Sequence, residues 1–207
     1  DLVSYVQEFL EQGKMVFPEG QLKPEFMQSQ IEVGTNVCRN VKEVGMEIRR
    51  LRRMVSKLAE NFGANPYVLG WQLDNEYNRY CYCPHCQQLF HEYLAQRYGT
   101  IDELNRRWTT AYWSQTYDTW EQIPLPVGPH NPGLMLEFKH FMTLSYRRFQ
   151  KLQIDLLRPH LRKDVWITHN FMEWHDGYDH YAMAEDLDMA SWDWYVGMGN
   201  HDYLSAG

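Results

Sequence analysis

The sequence has little basic surface and no long apolar run. Lys and Arg together number 20 against 27 Asp and Glu, which gives a formal net charge of −7. The densest basic group, residues 49–53, lies inside a helical pattern and predicts a solvated or salt-bridged helix face rather than a nucleic-acid-binding stripe. No apolar run approaches the roughly 18–20 residues that a membrane span requires. We therefore expect neither nucleic acid nor membrane among the partners.

Two further absences concern nucleotide binding and targeting. No glycine-rich turn follows any predicted strand, so the dinucleotide-binding fingerprint is missing. The chain starts at Asp1 without an initiator methionine and without the basic and apolar regions of a signal peptide. We expect a cytoplasmic protein, and we expect that both ends of this chain are cut from a longer one.

Cysteine is scarce, and the four cysteines are clustered. Cys81, Cys83 and Cys86 form a C-x-C-x-x-C group, and Cys38 lies upstream at the start of a predicted helix. Four thiolates can close a tetrahedral structural zinc site, whereas a disulfide framework usually spreads its cysteines along the chain. A structural zinc is therefore the prediction, with a disulfide or free thiols as the alternatives. His85 lies inside this group, but four cysteines already fill the coordination.

Aromatic residues are abundant, at 15% of the chain with 8 Trp and 14 Tyr. Aromatic faces stack on sugar rings, and they also fill large hydrophobic cores. Composition alone leaves both interpretations open.

Hydrophobic periodicity predicts alternating helices and strands. The predicted helices are residues 1–12, 37–62, 84–98, 100–108, 135–161 and 178–187, the predicted strands are 67–74, 165–171 and 189–192, and residues 13–36 are predicted to form a long irregular loop. This alternation is typical of an α/β fold with a parallel sheet and helical crossovers. Both an open sheet and a closed barrel satisfy it.

Polar residues gather directly after each predicted strand, and this favours the barrel. Asn75 and Glu76 follow the first strand, His169 and Asn170 close the second, and Asp193 follows the third. Barrel enzymes carry their chemistry at the carboxyl ends of their strands. Because a whole barrel takes about 250 residues, we expect one domain, residues 1–207, that is a section of a (β/α)₈ TIM barrel with an inserted zinc-binding loop region.

Glu76 is the candidate catalytic group of this section. Its neighbours Trp71, Tyr77 and Tyr80 predict partial desolvation, which raises a carboxyl pKa towards the value that a general acid needs. Asn75 beside it has an amide that can donate to a sugar hydroxyl. The alternative is that Glu76 only caps the following loop or pairs with Arg79.

A set of ordered motifs resembles glycoside hydrolase family 42, the β-galactosidases. The motifs are GWQLDNEY at 70–77, CYCPHC at 81–86, YGTIDELN at 98–105, YWSQ at 112–115, THNFM at 168–172 and SWD at 191–193. The resemblance implies a retaining enzyme that removes terminal β-D-galactose by double displacement, with Glu76 as acid/base. It also implies that the nucleophile lies beyond Gly207 and that the full-length protein is a homotrimer.

The resemblance assigns further roles by position. It implies zinc ligands at Cys38, Cys81, Cys83 and Cys86, and a galactose subsite lined by Trp113. Tyr195 fits a sugar-facing tyrosine, although Trp194 stands where the family usually has Asn. The loop at 13–36 matches the family poorly.

Three residues remain with open roles. Glu173 and Asp193 follow strands and are candidates for a second carboxylate, but because the resemblance assigns the nucleophile elsewhere we expect a supporting hydrogen bond from them. His169 is predicted to orient a sugar hydroxyl, or else to be a satisfied residue of the barrel lip.

Two other functions stay open. One is a non-catalytic, zinc-stabilised sugar-binding fragment. The other is a related glycosidase such as an α-L-arabinopyranosidase, whose substrate differs from galactose by one hydroxymethyl group.

Overall fold

The structure, a computed structural model, describes residues 6–14, 22–24, 31–33, 36–172 and 175–193. The chain divides into two compact units. Unit 1 contains residues 1–71 and 154–166, and unit 2 contains residues 72–153 and 167–207. Among the described residues, no helix is long and apolar enough to cross a membrane.

Unit 1 begins with helix α1 (Val6–Gly13) and a short hairpin. Strands β1 (Leu22–Pro24) and β2 (Ile31–Val33) pair antiparallel, with Leu22 opposite Val33. The prediction of an irregular loop over 13–36 is therefore wrong for these residues. Strands of three residues are too short to show a period of two, which is why the pattern missed them.

Helix α2 (Val41–Phe62) follows in unit 1. It begins where the Asn40 side chain accepts the N–H of Glu43 at 3.0 Å, an ordinary N-cap that shortens the predicted helix at its start. Its apolar residues are only partly buried: Val41 is 87% exposed, and the buried residues are Met54 and Ala59.

Three strands form a parallel sheet, most of which lies in unit 2. Strand β3 (Gly70–Asn75) lies beside β4 (Trp166–Phe171), which lies beside β5 (Met189–Trp192). The register of β4 and β5 runs from Thr168 opposite Met189 to Phe171 opposite Trp192. Every residue of β4 after Trp166 is buried, as expected for a central strand, whereas in β3 only Leu73 is buried. The order β3–β4–β5 with helical crossovers confirms the parallel α/β architecture.

The crossovers in unit 2 are helical. They are α3 (Pro84–Tyr98), α4 (Ile101–Trp108), α5 (Pro132–Leu157), whose last residues belong to unit 1, and α6 (His180–Ala184). Thr100 caps α4 by accepting the N–H of Glu103 at 3.2 Å, as its spacing predicts. Their main core packs large side chains from α3, α4, α5 and the loop between α4 and α5; it includes Phe90, Leu94, Leu104, Trp108, Ile123, Leu134, Phe138 and Phe141.

Candidate active site

The end of strand β3 has an unusual backbone. Asp74 has φ of 50° and Glu76 has φ of 46°, which puts two non-glycine residues in the left-handed region. This conformation is uncommon for L-residues and is found more often at functional sites. The Asp74 carboxylate accepts the N–H of Asn75 at 3.0 Å, and the Glu76 N–H donates to the Asn170 carbonyl at 2.9 Å. The chain thus turns sharply at Glu76 while it stays attached to β4.

Asn75 is held by its neighbour on the central strand. The Asn170 side-chain amide donates to the Asn75 side-chain oxygen at 2.9 Å. This bond uses the oxygen of the Asn75 amide and so orients its N–H₂ group, the end that a sugar hydroxyl would accept. The sequence identifies Asn170 only as a polar residue at a strand end, not as the partner of Asn75. The signal available in the sequence was an Asn at the end of each of two consecutive predicted strands, Asn75 and Asn170, which parallel pairing brings side by side.

Asp193 has the largest influence on the Glu76 carboxyl. A side-chain hydrogen bond with Asp193, followed by burial and by the negative charge of Asp193, raises the pKa of Glu76 above its ordinary value. The sequence predicted the direction of this pKa shift correctly. It attributed the shift to desolvation by aromatic side chains, whereas the main cause is Asp193. A carboxyl that keeps its proton beside a second carboxylate has the chemistry of a general acid.

Tyr178 is a second residue near Glu76 that the sequence did not single out. It is buried in a small core with Tyr77, Phe171 and Met183. Burial raises the pKa of Tyr178 to about 12, and the charge of Glu76 adds to this rise. The phenol is therefore neutral at any pH where a glycosidase works.

Tyr77 does not form an aromatic wall above Glu76. Its ring is buried and stacks on His169, with ring centroids 4.1 Å apart, and on Tyr146, at 5.1 Å. Gln153 donates to the Tyr77 hydroxyl at 3.3 Å. The residue after Glu76 is thus anchored in the core, which fixes the backbone that carries the carboxyl.

His169 is fully buried, with 0% of its surface exposed. Its Nδ1 lies 2.6 Å from the Leu73 carbonyl, so Nδ1 carries the proton and donates to that oxygen. Burial lowers the pKa of His169, which keeps the ring neutral. This geometry favours the structural alternative over contact with a sugar hydroxyl.

Three other predicted site residues are less fully described. Trp113 is the last residue of a 3₁₀ turn, Thr110–Trp113, and its predicted sugar contact stays a prediction. Glu173 and Tyr195 lie outside the described residues. A cavity of about 300 Å³ in unit 2 is lined by other side chains, among them Tyr93, Arg97 and His140. The sugar pocket beside Glu76 therefore also stays a prediction.

Three of the four cysteines come together ahead of α3. The sulfur atoms of Cys81, Cys83 and Cys86 all lie within 4.8 Å of one another. Cys83 caps α3, and its sulfur accepts the N–H of Cys86 at 3.5 Å. This bond and those from the neighbouring thiols lower the pKa of Cys83 to about 7. Cys38 belongs to unit 1, where its thiol donates to the Asn36 carbonyl at 3.3 Å, and its place as fourth ligand stays a prediction.

The donor set fits a thiophilic metal ion. Burial and the Cys81 thiol raise the pKa of Cys86 to about 12, so without a metal at least one proton stays in the group. A metal ion that binds thiolates would take the place of such protons. Three sulfur atoms within 4.8 Å of one another at the start of a helix are close enough to bind one such ion together.

Comparison with known proteins identifies the family. A sequence model of the glycoside hydrolase family 42, described as beta-galactosidase, matches residues 28–205. The beta-galactosidase of Thermus thermophilus is 44% identical over 151 residues, which cover 70% of this chain and 23% of that protein. This chain thus spans about a quarter of the length of the curated relatives that it matches.

Solved structures agree with this match. The beta-galactosidase of the psychrophilic Marinomonas ef1 has a TM-score of 0.61 at 37% identity, covering 71% of this chain and 23% of that one. The enzyme of the Antarctic haloarchaeon Halorubrum lacusprofundi has a TM-score of 0.63 at 31% identity, covering 93% of this chain and 31% of that one. The motif pattern, the parallel sheet and these matches agree, and the chain belongs to the family 42 β-galactosidases of the glycoside hydrolases.

Proposed function

We propose that the whole protein containing this chain removes terminal β-D-galactose from β-galactosides with retention of configuration, and that Glu76 is its general acid/base. The observation that carries the proposal is the Glu76 carboxyl at the end of β3, whose pKa is raised beside Asp193. Family membership supplies the substrate class, since the matched relatives bear the name beta-galactosidase.

The mechanism uses Glu76 twice. In the first half, a carboxylate nucleophile bonds to the anomeric carbon while the bond from that carbon to the glycosidic oxygen breaks, and the protonated Glu76 gives its proton to that oxygen. In the second half, the Glu76 carboxylate takes a proton from water as the water oxygen bonds to the anomeric carbon and the bond to the nucleophile breaks. Asn75, oriented by Asn170, donates to a hydroxyl of the sugar. Trp113 and Tyr195 are proposed to line the galactose subsite.

The nucleophile is proposed to be a carboxylate outside these 207 residues. Retaining glycosidases hold their two carboxyl groups about 5–5.5 Å apart, with the anomeric carbon between them. Asp193 is hydrogen-bonded to Glu76, which leaves no room for a sugar between the two groups. Asp193 therefore does not fit the role of nucleophile in this arrangement.

The cysteine group is proposed to hold a structural zinc ion through Cys81, Cys83, Cys86 and Cys38. When bound, such an ion supplies a rigid cross-link and leaves no open position for a catalytic water. The link would fix the segment between Glu76 and α3. The full-length protein is further proposed to be a homotrimer.

The test of the catalytic proposal is the hydrolysis of nitrophenyl β-galactoside by the full-length protein and its Glu76→Gln variant. Because Gln cannot transfer the proton, we expect the turnover number to fall by roughly 10²–10⁴-fold. Asp74→Asn is the matched control, since it removes a carboxylate two residues away and keeps an oxygen for the Asn75 N–H. Asp74→Asn should stay within about threefold of the parent; equal activity of parent and Glu76→Gln would remove the assignment.

The same assay addresses the choice of sugar. Galactose and α-L-arabinopyranose differ by one hydroxymethyl group, and such a group changes selectivity by only about 1–3 kcal/mol. Comparing kcat/KM for the two nitrophenyl glycosides decides which one the site prefers. We expect the galactoside to be preferred.

A further inference from the structure

Asp193 is fixed relative to Glu76 by the backbone of the central strand. The Asp193 N–H donates to the Phe171 carbonyl at 3.1 Å, and the Glu76 N–H donates to the Asn170 carbonyl at 2.9 Å. Two consecutive carbonyls of β4 therefore hold the residues that follow the two flanking strands. The Trp192 ring packs on Phe171, with centroids 5.8 Å apart, and this contact supports the end of β5 directly before Asp193.

We propose that Asp193 is a positioning residue for the acid/base: its carboxylate accepts a hydrogen bond from the protonated Glu76, holds the proton there before bond cleavage and favours its return afterwards. This inference rests on the proposed function, because it assigns a partner to the group that carries the proton. It goes beyond the established family membership, which concerns the chain as a whole.

The proton can be followed through both halves of the reaction. Before cleavage it is on Glu76, within the hydrogen bond to Asp193. It passes to the leaving oxygen as the glycosidic bond breaks and the nucleophile bonds to the anomeric carbon, which leaves Glu76 ionised beside Asp193. The negative charge of Asp193 makes Glu76 the stronger base, so Glu76 takes a proton from the water that displaces the nucleophile, and the starting pair is restored. In this scheme Asp193 exchanges no proton with the substrate.

Few other charges face this pair among the described residues. Asp74 lies two residues before Glu76, and Tyr178 is near Glu76 with a pKa that burial raises to about 12. His175 and His180 pack on the Tyr178 ring, with centroids at 5.0 and 4.7 Å, and burial lowers the pKa of each. These histidines and the phenol are neutral near pH 7. Asp193 is thus the charged group in direct contact with Glu76.

The test is the pH dependence of kcat/KM for the full-length protein and its Asp193→Asn variant. An Asn amide removes the negative charge and can donate to the Glu76 carboxylate, so both changes favour the ionised form. Since Glu76 must be protonated for the first half, the fall in kcat/KM on the basic side should move about one pH unit lower. The loss should be larger for lactose, whose leaving group needs the proton, than for dinitrophenyl β-galactoside, whose leaving group does not.

Asp74→Asn and Asp193→Glu are the controls. Asp74→Asn removes a carboxylate from the same strand end and should not change the pH at which kcat/KM falls on the basic side, here called the basic limb. Asp193→Glu restores the charge and should return the limb towards the parent position even if turnover stays low. A merely structural Asp193 would lower turnover equally for both leaving groups and leave the limb unmoved, and that result would overturn the inference.

The outcome is separable from that of the proposed function. If Glu76→Gln loses activity while Asp193→Asn keeps the parent pH profile, the acid/base assignment stands and the inference about Asp193 is wrong. If Glu76→Gln retains activity, the proposed function fails first. The thermal unfolding of Asp193→Asn is measured in parallel. If this variant does not fold, the pH profile of Asp193→Glu is compared with that of the parent instead.

Discussion

At Glu76 the main influence on the carboxyl is a neighbouring carboxylate, and burial is the smaller one. A hydrogen bond between two carboxyl groups needs a proton on one of them, so the contact with Asp193 favours the protonated form of Glu76 without deep burial. This leaves the acid half-exposed and accessible to a substrate. The rings of Tyr77 and His169 do not cover the Glu76 carboxyl. They stack on each other in the core and anchor the backbone next to Glu76.

His169 provides a residue-scale prediction. In the His169→Phe variant the stack on Tyr77 is kept, but the buried Leu73 carbonyl loses its donor. An unsatisfied buried carbonyl costs about 1–3 kcal/mol, so the free energy of unfolding should fall by roughly that amount. KM for nitrophenyl galactoside should change little, as judged by steady-state kinetics at a temperature where the variant is folded.

The opposite pattern would contradict this account of His169. If KM rises more than tenfold while urea denaturation shows unchanged stability, the histidine contacts the sugar. The sequence-based prediction of a sugar contact would then be correct.

At the scale of elements, a buried carboxylate joins α3 to α5. Glu137 on α5 is 5% exposed and accepts from Tyr93 at 2.7 Å, Arg97 at 3.0 Å and Tyr98 at 2.8 Å. Trp108 of α4 donates in turn to the Tyr98 hydroxyl at 2.9 Å. This network therefore connects three helices, α3, α4 and α5, around the Glu137 carboxylate.

The Glu137→Gln variant tests the strength of this junction. The amide keeps one acceptor and places an N–H₂ group beside donors, so we expect a loss of about 2 kcal/mol in the free energy of unfolding. Arg97 is half-exposed, and its ion pair with Glu137 contributes little of this. Urea denaturation of the full-length protein measures the change.

Glu103→Gln is the matched control. Glu103 pairs with Arg106 and Arg107 on the surface of α4, where solvent screens the interaction. This substitution should change stability much less than Glu137→Gln. Equal effects of the two variants would show that the buried network adds nothing beyond a surface ion pair.

Local signals predicted most of the elements, and long-range contacts limited the rest. The predicted helices 84–98 and 100–108 match α3 and α4, because caps such as Thr100 depend on residues within one turn. Which apolar residues of α5 are buried could not be predicted in this way: Leu144 and Leu152 are exposed, and Leu134, Phe138 and Phe141 are buried. Periodicity identifies apolar faces, but which one is covered depends on distant partners such as Phe90.

The candidate site shows the same division. The apolar strand followed by Asn75 and Glu76 singled out the candidate acid, since both signals lie at the end of one strand. The contact with Asp193 depends on the parallel placement of β5 two strands away, and no pattern near Glu76 encodes it. The sequence could therefore name the proposed acid but not Asp193 as its partner.

At the scale of the whole molecule, the zinc proposal makes a stoichiometric prediction. Elemental analysis of the full-length protein should give one zinc per chain, and Cys83→Ser should abolish it, because Cys83 is the thiol with the lowered pKa at the head of α3. Removal of the metal by a chelator should lower Tm. Full folding and activity of a metal-free protein would contradict a structural role for zinc.

The chain spans about a quarter of its curated relatives, and its parallel sheet fits a section of the larger barrel that we propose for the whole protein. Within such a barrel, carboxyl ends of successive strands share one rim, and Glu76 and Asp193 follow two of them. The second catalytic carboxylate is expected on the same rim. Its distance from Glu76 should be near that of retaining enzymes, about 5–5.5 Å between carboxyl groups.

The central claim is that Glu76 handles the proton in both halves of a retaining reaction, and azide rescue of the full-length Glu76→Ala variant tests it most directly. With dinitrophenyl β-galactoside the first half needs no acid, so the galactosyl-enzyme forms. It then accumulates, because the variant has no base to activate water for the second half. Azide attacks without a base, and we predict that it restores turnover and yields β-galactosyl azide. Wild-type-like hydrolysis by the variant without azide, or a product of inverted α configuration, would contradict the account.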